Sequence, residues 1–189
     1  MTMTKTKTDY QIEIIHDEHP SNPRTEWDNL GTMVCFHRRY TLGDIGHGYR
    51  ASEFNSWDEL KKQIIKDHDP AVILPVYMYE HSGMTISTSP FSCPWDSGQI
   101  GFIYISKAKV RKDANVKRIN KELIDWVTKQ LRAEVRTYDQ YLTGDTFGYK
   151  ITKDGEEIDS CWGYYGYHET KEQAENQLMY YKSKEVVSL

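Results

Sequence analysis

The chain has 189 residues, which is long enough for one sizeable hydrophobic core or two small ones. Its 28 acidic and 24 basic residues leave a formal net charge of −4, which argues against a generally cationic surface and against an acidic mimic of nucleic acid. Aromatic residues make up 13% of the chain, and no apolar run approaches the roughly 20 residues that span a bilayer. This profile excludes membrane-spanning, fibrous and disulfide-scaffold proteins and argues against disorder.

The first nine residues are polar and rich in threonine and lysine, which predicts a flexible N-terminal tail over residues 1–9. They lack the apolar segment of a secretory signal. Three widely spaced cysteines follow, at Cys35, Cys93 and Cys161. An odd number of cysteines without a signal peptide is typical of reduced thiols, so we expect a cytoplasmic protein.

Alternating or continuous apolar runs predict the strands. They are residues 10–16, 32–37, 71–79, 84–88, 100–106, 146–152 and 157–162. Pro75 within the third run predicts an edge position or a bulge, because proline cannot donate to a strand ladder. Asp154-Gly155 stands between the last two runs and predicts a tight hairpin.

Three helices are predicted, at residues 56–68, 120–142 and 170–182. Ser56 and Thr170 each precede a Glu or Gln by three positions, which predicts capping boxes at the first and third helices. Strands joined by short turns and mixed with helices favour the α+β class. We expect a mainly antiparallel sheet with about three helices in a single domain, residues 10–189.

Acid–base chemistry is the first function that the loop residues indicate. His37 and His81 lie among small, polar and aromatic residues, and an imidazole can take or give a proton near neutral pH. In RNA cleavage such a histidine would activate the ribose 2′-hydroxyl while Arg38 or Arg39 offsets charge on the phosphate, and of the two we take Arg39 as the candidate. Asp28 and Asp96 are candidates for orienting a histidine or for holding a divalent cation. The same residue types also fit structural roles, as histidines bonded to backbone and aspartates capping turns.

Metal binding and cysteine chemistry are two further hypotheses. The three cysteines with His37 or His81 supply the ligand types of a zinc site, although no Cys-x-x-Cys pair exists. Cys93 is a candidate nucleophile without a family signature around it. Small buried apolar groups are the alternative role for these thiols. Further aspartates that could orient a histidine or hold a cation are Asp44, Asp139 and Asp145.

A basic run between a predicted strand and the second helix favours contact with a phosphate backbone. It contains Lys107, Lys109, Arg111, Lys112, Lys117, Arg118 and Lys121. The candidate phosphate-binding residues are Lys109, Arg111 and Arg118. The candidates for stacking on bases are three aromatic residues expected to be exposed, Trp95, Tyr164 and Tyr165. A solvated helix face and a packed sheet edge are the alternative readings of these charges and tyrosines.

Several segments resemble small proteins encoded by phages and other mobile elements of bacteria. The segments are Asp28-Asn29-Leu30-Gly31, residues 35–44, residues 90–99, residues 138–145 and Asp159-Ser160-Cys161-Trp162-Gly163. The resemblance runs in patches from about Pro23 to Gly166. It implies a cargo protein of a mobile element, and such cargo often counters host defence.

The resulting hypothesis is an anti-defence protein of the anti-CRISPR kind in the cytoplasm of a bacterial host. Its expected partner is a host defence protein or nucleoprotein complex, with no membrane involved. In enzyme form it would be a nuclease that cuts the RNA of the effector. The alternatives are a binding module that blocks an effector or sequesters a nucleotide, and a metal-dependent hydrolase.

Overall fold

The computed structural model describes residues 9–187, so of the predicted tail (residues 1–9) all but Asp9 lies outside the described residues. The chain forms two compact units. Unit 1 contains residues 9–21 and 144–187, and unit 2 is Asn22–Thr143. Within the described range, no helix is both long and apolar enough to cross a bilayer. Unit 1 combines an antiparallel sheet with one helix and unit 2 combines another with three, which confirms the α+β prediction.

The described residues contain seven strands and four α-helices. The strands are β1 (Tyr10–His16), β2 (Thr32–Cys35), β3 (Pro70–Glu80), β4 (Met84–Ser87), β5 (Ser97–Ser106), β6 (Thr146–Lys153) and β7 (Glu156–Tyr165). The helices are α1 (Trp57–His68), α2 (Lys107–Asp113), α3 (Lys121–Thr143) and α4 (Tyr167–Val187). The structure therefore departs from the prediction of about three helices in a single domain. The unpredicted α2 is seven residues long and largely basic, so it lacks an apolar stripe to reveal it.

Unit 2 packs helices on both faces of a four-stranded sheet, with strand order β2–β5–β3–β4. On one face, α3 buries Leu131 and Val135 in the same cluster as Val76 and Ile103 of the sheet. The other face carries α1, and its core cluster contains Val34, Leu60, Ile64, Phe102 and Tyr104. Burial on both faces explains why β5 reads as a continuous apolar run.

Helix caps in unit 2 match the predicted helix starts. The Ser56 hydroxyl accepts a hydrogen bond from the Glu59 N–H at 3.2 Å, immediately before α1. The Asn120 side-chain oxygen accepts from the Leu123 N–H at 2.9 Å, immediately before α3. Asp69 ends α1 in the left-handed region, with φ 41°.

Pro75 lies on β3, which has β5 on one side and β4 on the other. Pro75 pairs with Phe102 of β5, whereas β4 pairs only with the last four residues of β3. At Pro75 the strand therefore has a neighbour on one side, as at a sheet edge. The ladder with β5 shifts register one residue later, between Val76 and Tyr77, so Pro75 lies beside an irregularity of the ladder and on a locally unpaired side of an internal strand.

A buried arginine fixes the loop that leads into β2. The Arg24 side chain is fully buried, and its guanidinium contacts Asp44 Oδ1 at 2.6 Å and Glu134 Oε2 of α3 at 2.9 Å. It also donates to the Gly31 carbonyl at 2.9 Å. The second Asp44 oxygen accepts from the Met33 N–H at 3.0 Å. Asp44, one of the cation candidates, is thus part of a structural ion-pair network.

Unit 1 is a three-stranded sheet, ordered β1–β6–β7, with α4 packed against it. The β6–β7 turn is Asp154-Gly155, and both residues have positive φ, at 51° and 89°. The predicted hairpin is therefore confirmed. Ala174 of α4 is fully buried against Tyr149 and Ile151 of β6.

The start of α4 differs from the prediction. The helix begins at Tyr167, directly after Gly166, which has φ 95°. The buried Thr170 hydroxyl donates to the Gly166 carbonyl at 2.8 Å. The predicted capping box at Thr170 is wrong because this hydroxyl bonds back within the first turn of the helix.

Candidate functional site

Polar side chains gather where three strands of unit 2 meet at one end of the sheet. His37 and Arg39 follow β2, Glu80 ends β3, His81 comes next, and Asp96 precedes β5. Because β5 is antiparallel to both β2 and β3, its start lies beside their ends. The Glu80 N–H donates to the Asp96 carbonyl at 2.8 Å and ties two of these segments together. We call these five residues the histidine cluster.

Within the histidine cluster, Glu80 bridges an imidazole and a guanidinium. Its Oε2 lies 3.4 Å from His37 Nε2, and its Oε1 pairs with the Arg39 guanidinium. The other ring nitrogen of His37, Nδ1, accepts from the Arg39 backbone N–H at 3.3 Å. The ring also stacks on Tyr40, with centroids 5.2 Å apart. With both nitrogens engaged, His37 is built to hold Glu80 and Arg39 in place.

His81 has a different environment, which leaves one ring nitrogen open. Its Nδ1 lies 3.5 Å from Asp96 Oδ2, and the Cys93 thiol donates to the same carboxylate oxygen at 3.7 Å. Nε2 has no hydrogen-bond partner among residues 9–187, and the side chain is 69% exposed. An aspartate at Nδ1 favours the tautomer in which Nε2 carries a lone pair. This nitrogen can therefore accept a proton from a bound molecule.

Two grooves border the histidine cluster. One, of about 340 Å³, is lined by His81 together with Tyr79, Ser82, Gly83, Met84, Thr85, Leu142 and Thr143. The other, of about 660 Å³, is lined by His37 together with Phe36, Arg38, Ala51, Phe54, Asn55, Ser56, Trp57 and Leu60. In the larger groove, the rings of Phe36 and Trp57 are nearly parallel, with centroids 6.2 Å apart. Such aromatic faces suit contact with a planar base.

Four of the five sequence-predicted catalytic residues meet in this cluster: His37, Arg39, His81 and Asp96. Asp28 does not, because it lies on the loop that enters β2, whereas His37 leaves the opposite end of that strand. Glu80 is the member that was not a sequence-predicted candidate. The sequence signal that could have identified Glu80 is its position directly before His81, at the end of an apolar strand.

The predicted base-stacking residues divide between the units. Trp95 in unit 2 is 92% exposed and directly precedes Asp96, so it stands beside the histidine cluster. Tyr164 and Tyr165 belong to β7 of unit 1 and are half-buried, contrary to the expected exposure. The Tyr164 ring stacks on Tyr149 with centroids 5.8 Å apart, and the Tyr165 hydroxyl donates to the Ser21 carbonyl.

Only two of the three predicted phosphate-binding residues lie on the same groove. Arg111 and Arg118 line a basic groove at the opposite end of β3 from the histidine cluster. Lys109 does not line it, because its ammonium pairs with Asp113 at 2.8 Å. Sequence spacing alone does not tell a cation that lines the groove from one that pairs with an acidic residue of its own helix. The neighbouring strands decide which face of a short helix lines the groove.

No group of three or more His, Cys, Asp or Glu side chains among residues 9–187 is arranged to hold a metal ion. Asp139, another cation candidate, instead accepts hydrogen bonds from the Thr85 hydroxyl and the Ile86 N–H, each at 2.7 Å. It thereby fixes β4 to α3. The backbone carbonyl of Asp145, a third cation candidate, accepts a hydrogen bond from the Gly166 N–H at 2.8 Å.

The three cysteines occupy different environments. Cys35 is buried in the core of unit 2, and burial raises the pKa of its thiol to about 12. Cys93 is half-buried beside Asp96, and Cys161 is exposed on β7. Because the thiolate is the reactive form, Cys35 is held in the inert state.

Thiol labelling of the native protein should therefore be selective. We expect Cys161 to react readily with a thiol-specific reagent and Cys35 to react only after unfolding in denaturant. Mass spectrometry of the labelled peptides measures each site separately, and a Cys161→Ser variant should lose the fastest phase. Labelling of native Cys35 at the rate of Cys161 would contradict this assignment.

Comparisons with models of protein families, with curated proteins and with solved structures found no match. The resemblance to mobile-element proteins therefore stays a prediction.

Proposed function

We propose that this chain is an anti-defence protein of a mobile element that cleaves the RNA of a host nucleoprotein effector. The observation that carries the chemistry is the pair His81–Asp96, whose carboxylate faces Nδ1 at 3.5 Å while Nε2 is open. Arg39 is paired to Glu80, the residue directly before His81. A base and a cation thus stand at one solvent-accessible edge, and the sequence resemblance supports the biological setting.

The proposed reaction is an internal transesterification of RNA. His81 Nε2 takes the proton of a ribose 2′-hydroxyl, and the 2′-oxygen forms a bond to the adjacent phosphorus. The bond from phosphorus to the 5′-oxygen breaks, that oxygen takes up a proton from solvent, and the His81 imidazolium returns its proton to solvent. The products are a 2′,3′-cyclic phosphate and a 5′-hydroxyl, so protons and electrons balance without a metal or redox partner.

The other cluster members support this step. Arg39 offsets the charge that develops on the phosphate, and Glu80 and His37 hold its guanidinium in place. Asp96 orients His81 and stabilises the imidazolium that forms. Trp95, almost fully exposed next to Asp96, offers a face on which a base of the strand can stack.

The test uses purified protein with a guide-loaded effector and with naked guide RNA, each with and without EDTA. We expect RNA fragments ending in 2′,3′-cyclic phosphate, formed equally with and without the chelator, together with loss of target cleavage by the effector. Intact RNA with an active effector would refute the proposal. Cleavage only without EDTA would instead support the metal-dependent hydrolase.

A non-catalytic binding module is the second candidate, favoured by the 92% exposure of Trp95 beside charged residues. Large exposed aromatics near the centre of a polar patch are typical anchors of protein interfaces. A binder would block the effector while its RNA stays intact. It would also retain most of its inhibition when both His37 and His81 are replaced by alanine.

A further inference from the structure

A second charged feature of unit 2 lies away from the histidine cluster. Four cations surround a groove of about 470 Å³, which we call the basic groove. Its lining is Lys107, Arg111, Lys117 and Arg118 around Ala71, Ile119 and Ile124. The groove stands out because the chain as a whole carries a net charge of −4.

The fold, and not sequence proximity alone, brings these cations together. Helix α2 follows β5 directly and places Lys107 and Arg111 in its first two turns. After α2, Asn115 adopts the left-handed region with φ 52°, and the Val116 N–H donates to the Arg111 carbonyl at 3.0 Å. The chain turns here, which places Lys117 and Arg118 on the same groove as the helix.

The charges in the basic groove are poorly neutralised by the protein. Lys107 pairs with Asp69 at 2.6 Å. Within the part of the chain that the structure describes, Arg111, Lys117 and Arg118 have no ion pair or side-chain hydrogen bond. Mutual repulsion of clustered cations is relieved when an anion binds, and guanidinium groups match phosphate oxygens well.

We propose that the basic groove is an exosite that binds the phosphate backbone of single-stranded RNA while the histidine cluster cleaves the strand elsewhere. This inference rests on the proposed function. Ala71 lies near the start of β3 and Glu80 at its end, so the two sites are about 30 Å apart along the strand. Long RNA can engage both sites, whereas a dinucleotide at the histidine cluster cannot reach the groove.

The binding test uses a fluorescent oligouridylate with 2′-O-methyl groups, which cannot be cleaved because the attacking hydroxyl is blocked. We compare the wild type with the triple variant R111A/K117A/R118A by anisotropy over a range of salt concentrations. Affinity should fall roughly tenfold or more at low salt, and the slope of log affinity against log salt should shrink by about 2, since each phosphate contact contributes about 0.7.

The matched control is K61A/K62A/K66A, which removes three exposed cations of α1 and changes the net charge equally. It should leave affinity and salt slope near the wild-type values. An equal loss in this control would overturn the proposal, because net charge alone would then explain binding. Displacement of the oligonucleotide by polyglutamate at equal charge concentration would overturn the assignment to RNA.

Cleavage kinetics separate this inference from the proposed function. On long RNA the triple variant should raise KM with little change in kcat, and on a dinucleotide it should match the wild type. If the wild type cleaves nothing yet the triple variant loses affinity, the proposed function fails and the basic groove stands. If cleavage occurs but the variant binds long RNA normally, the groove assignment fails alone.

Discussion

Replacing His81 with alanine should lower the rate of RNA cleavage by about 10²–10⁴, the usual contribution of a general acid or base. The expectation follows from the open Nε2 of His81 and the carboxylate of Asp96 at its Nδ1. Single-turnover cleavage of a labelled RNA measures the chemical step directly. Asp96→Asn should also slow cleavage, because an amide can favour the wrong tautomer of the ring.

His168 on α4 supplies a matched control, since it is an exposed histidine in unit 1. His168→Ala should cleave at the wild-type rate. His37→Ala should cost less than His81→Ala, because the ring nitrogens of His37 contact Glu80 and the Arg39 backbone. Equal rates for wild type and His81→Ala would remove His81 from the mechanism.

Replacing Arg24 with methionine should lower the free energy of unfolding by about 3–5 kcal/mol, the cost typical of breaking a buried ion pair from one side. Methionine keeps much of the apolar stem but leaves the carboxylates of Asp44 and Glu134 without their shared cation. The Gly31 carbonyl also loses its donor. Loss of this network loosens the loop before β2 and its attachment to α3.

Urea unfolding followed by circular dichroism measures this loss, and the exposed Arg38→Met is the control for removing a cation. We expect Arg38→Met to stay within about 0.5 kcal/mol of the wild type, as surface substitutions usually do. A loss below about 1 kcal/mol for Arg24→Met would show that the network contributes little net stability.

Local signals in the sequence predicted most of the individual elements. Ser56 and Asn120 mark helix starts through side-chain caps, which depend only on residues three positions away. Asp154-Gly155 marks a hairpin because both positions require positive φ. Helix caps and tight turns can be predicted from sequence because the residues that interact in them are close together in the chain.

The remaining features depend on contacts between distant residues. Arg24 meets Glu134 across 110 positions, and Arg39 meets Glu80 across 41. Residue types in a loop indicate that polar chemistry is available, but strand pairing decides which residues meet. For this reason Asp28 separated from the other catalytic candidates, while Glu80 joined them.

The pairing of β1 with β6 has a consequence for the order of folding. Asp9 and Asp154 exchange hydrogen bonds across 145 positions, and all of unit 2 lies between them. At about 5–20 residues per second, a ribosome needs on the order of ten seconds to make unit 2. During that interval unit 2 can form its own contacts. Strand β1, with its apolar side chains Ile12 and Ile14, has no partner strand until β6 is made. Strand β1 is thus made well before the strand that pairs with it, and until β6 appears its edges are open to wrong pairing in a nascent chain.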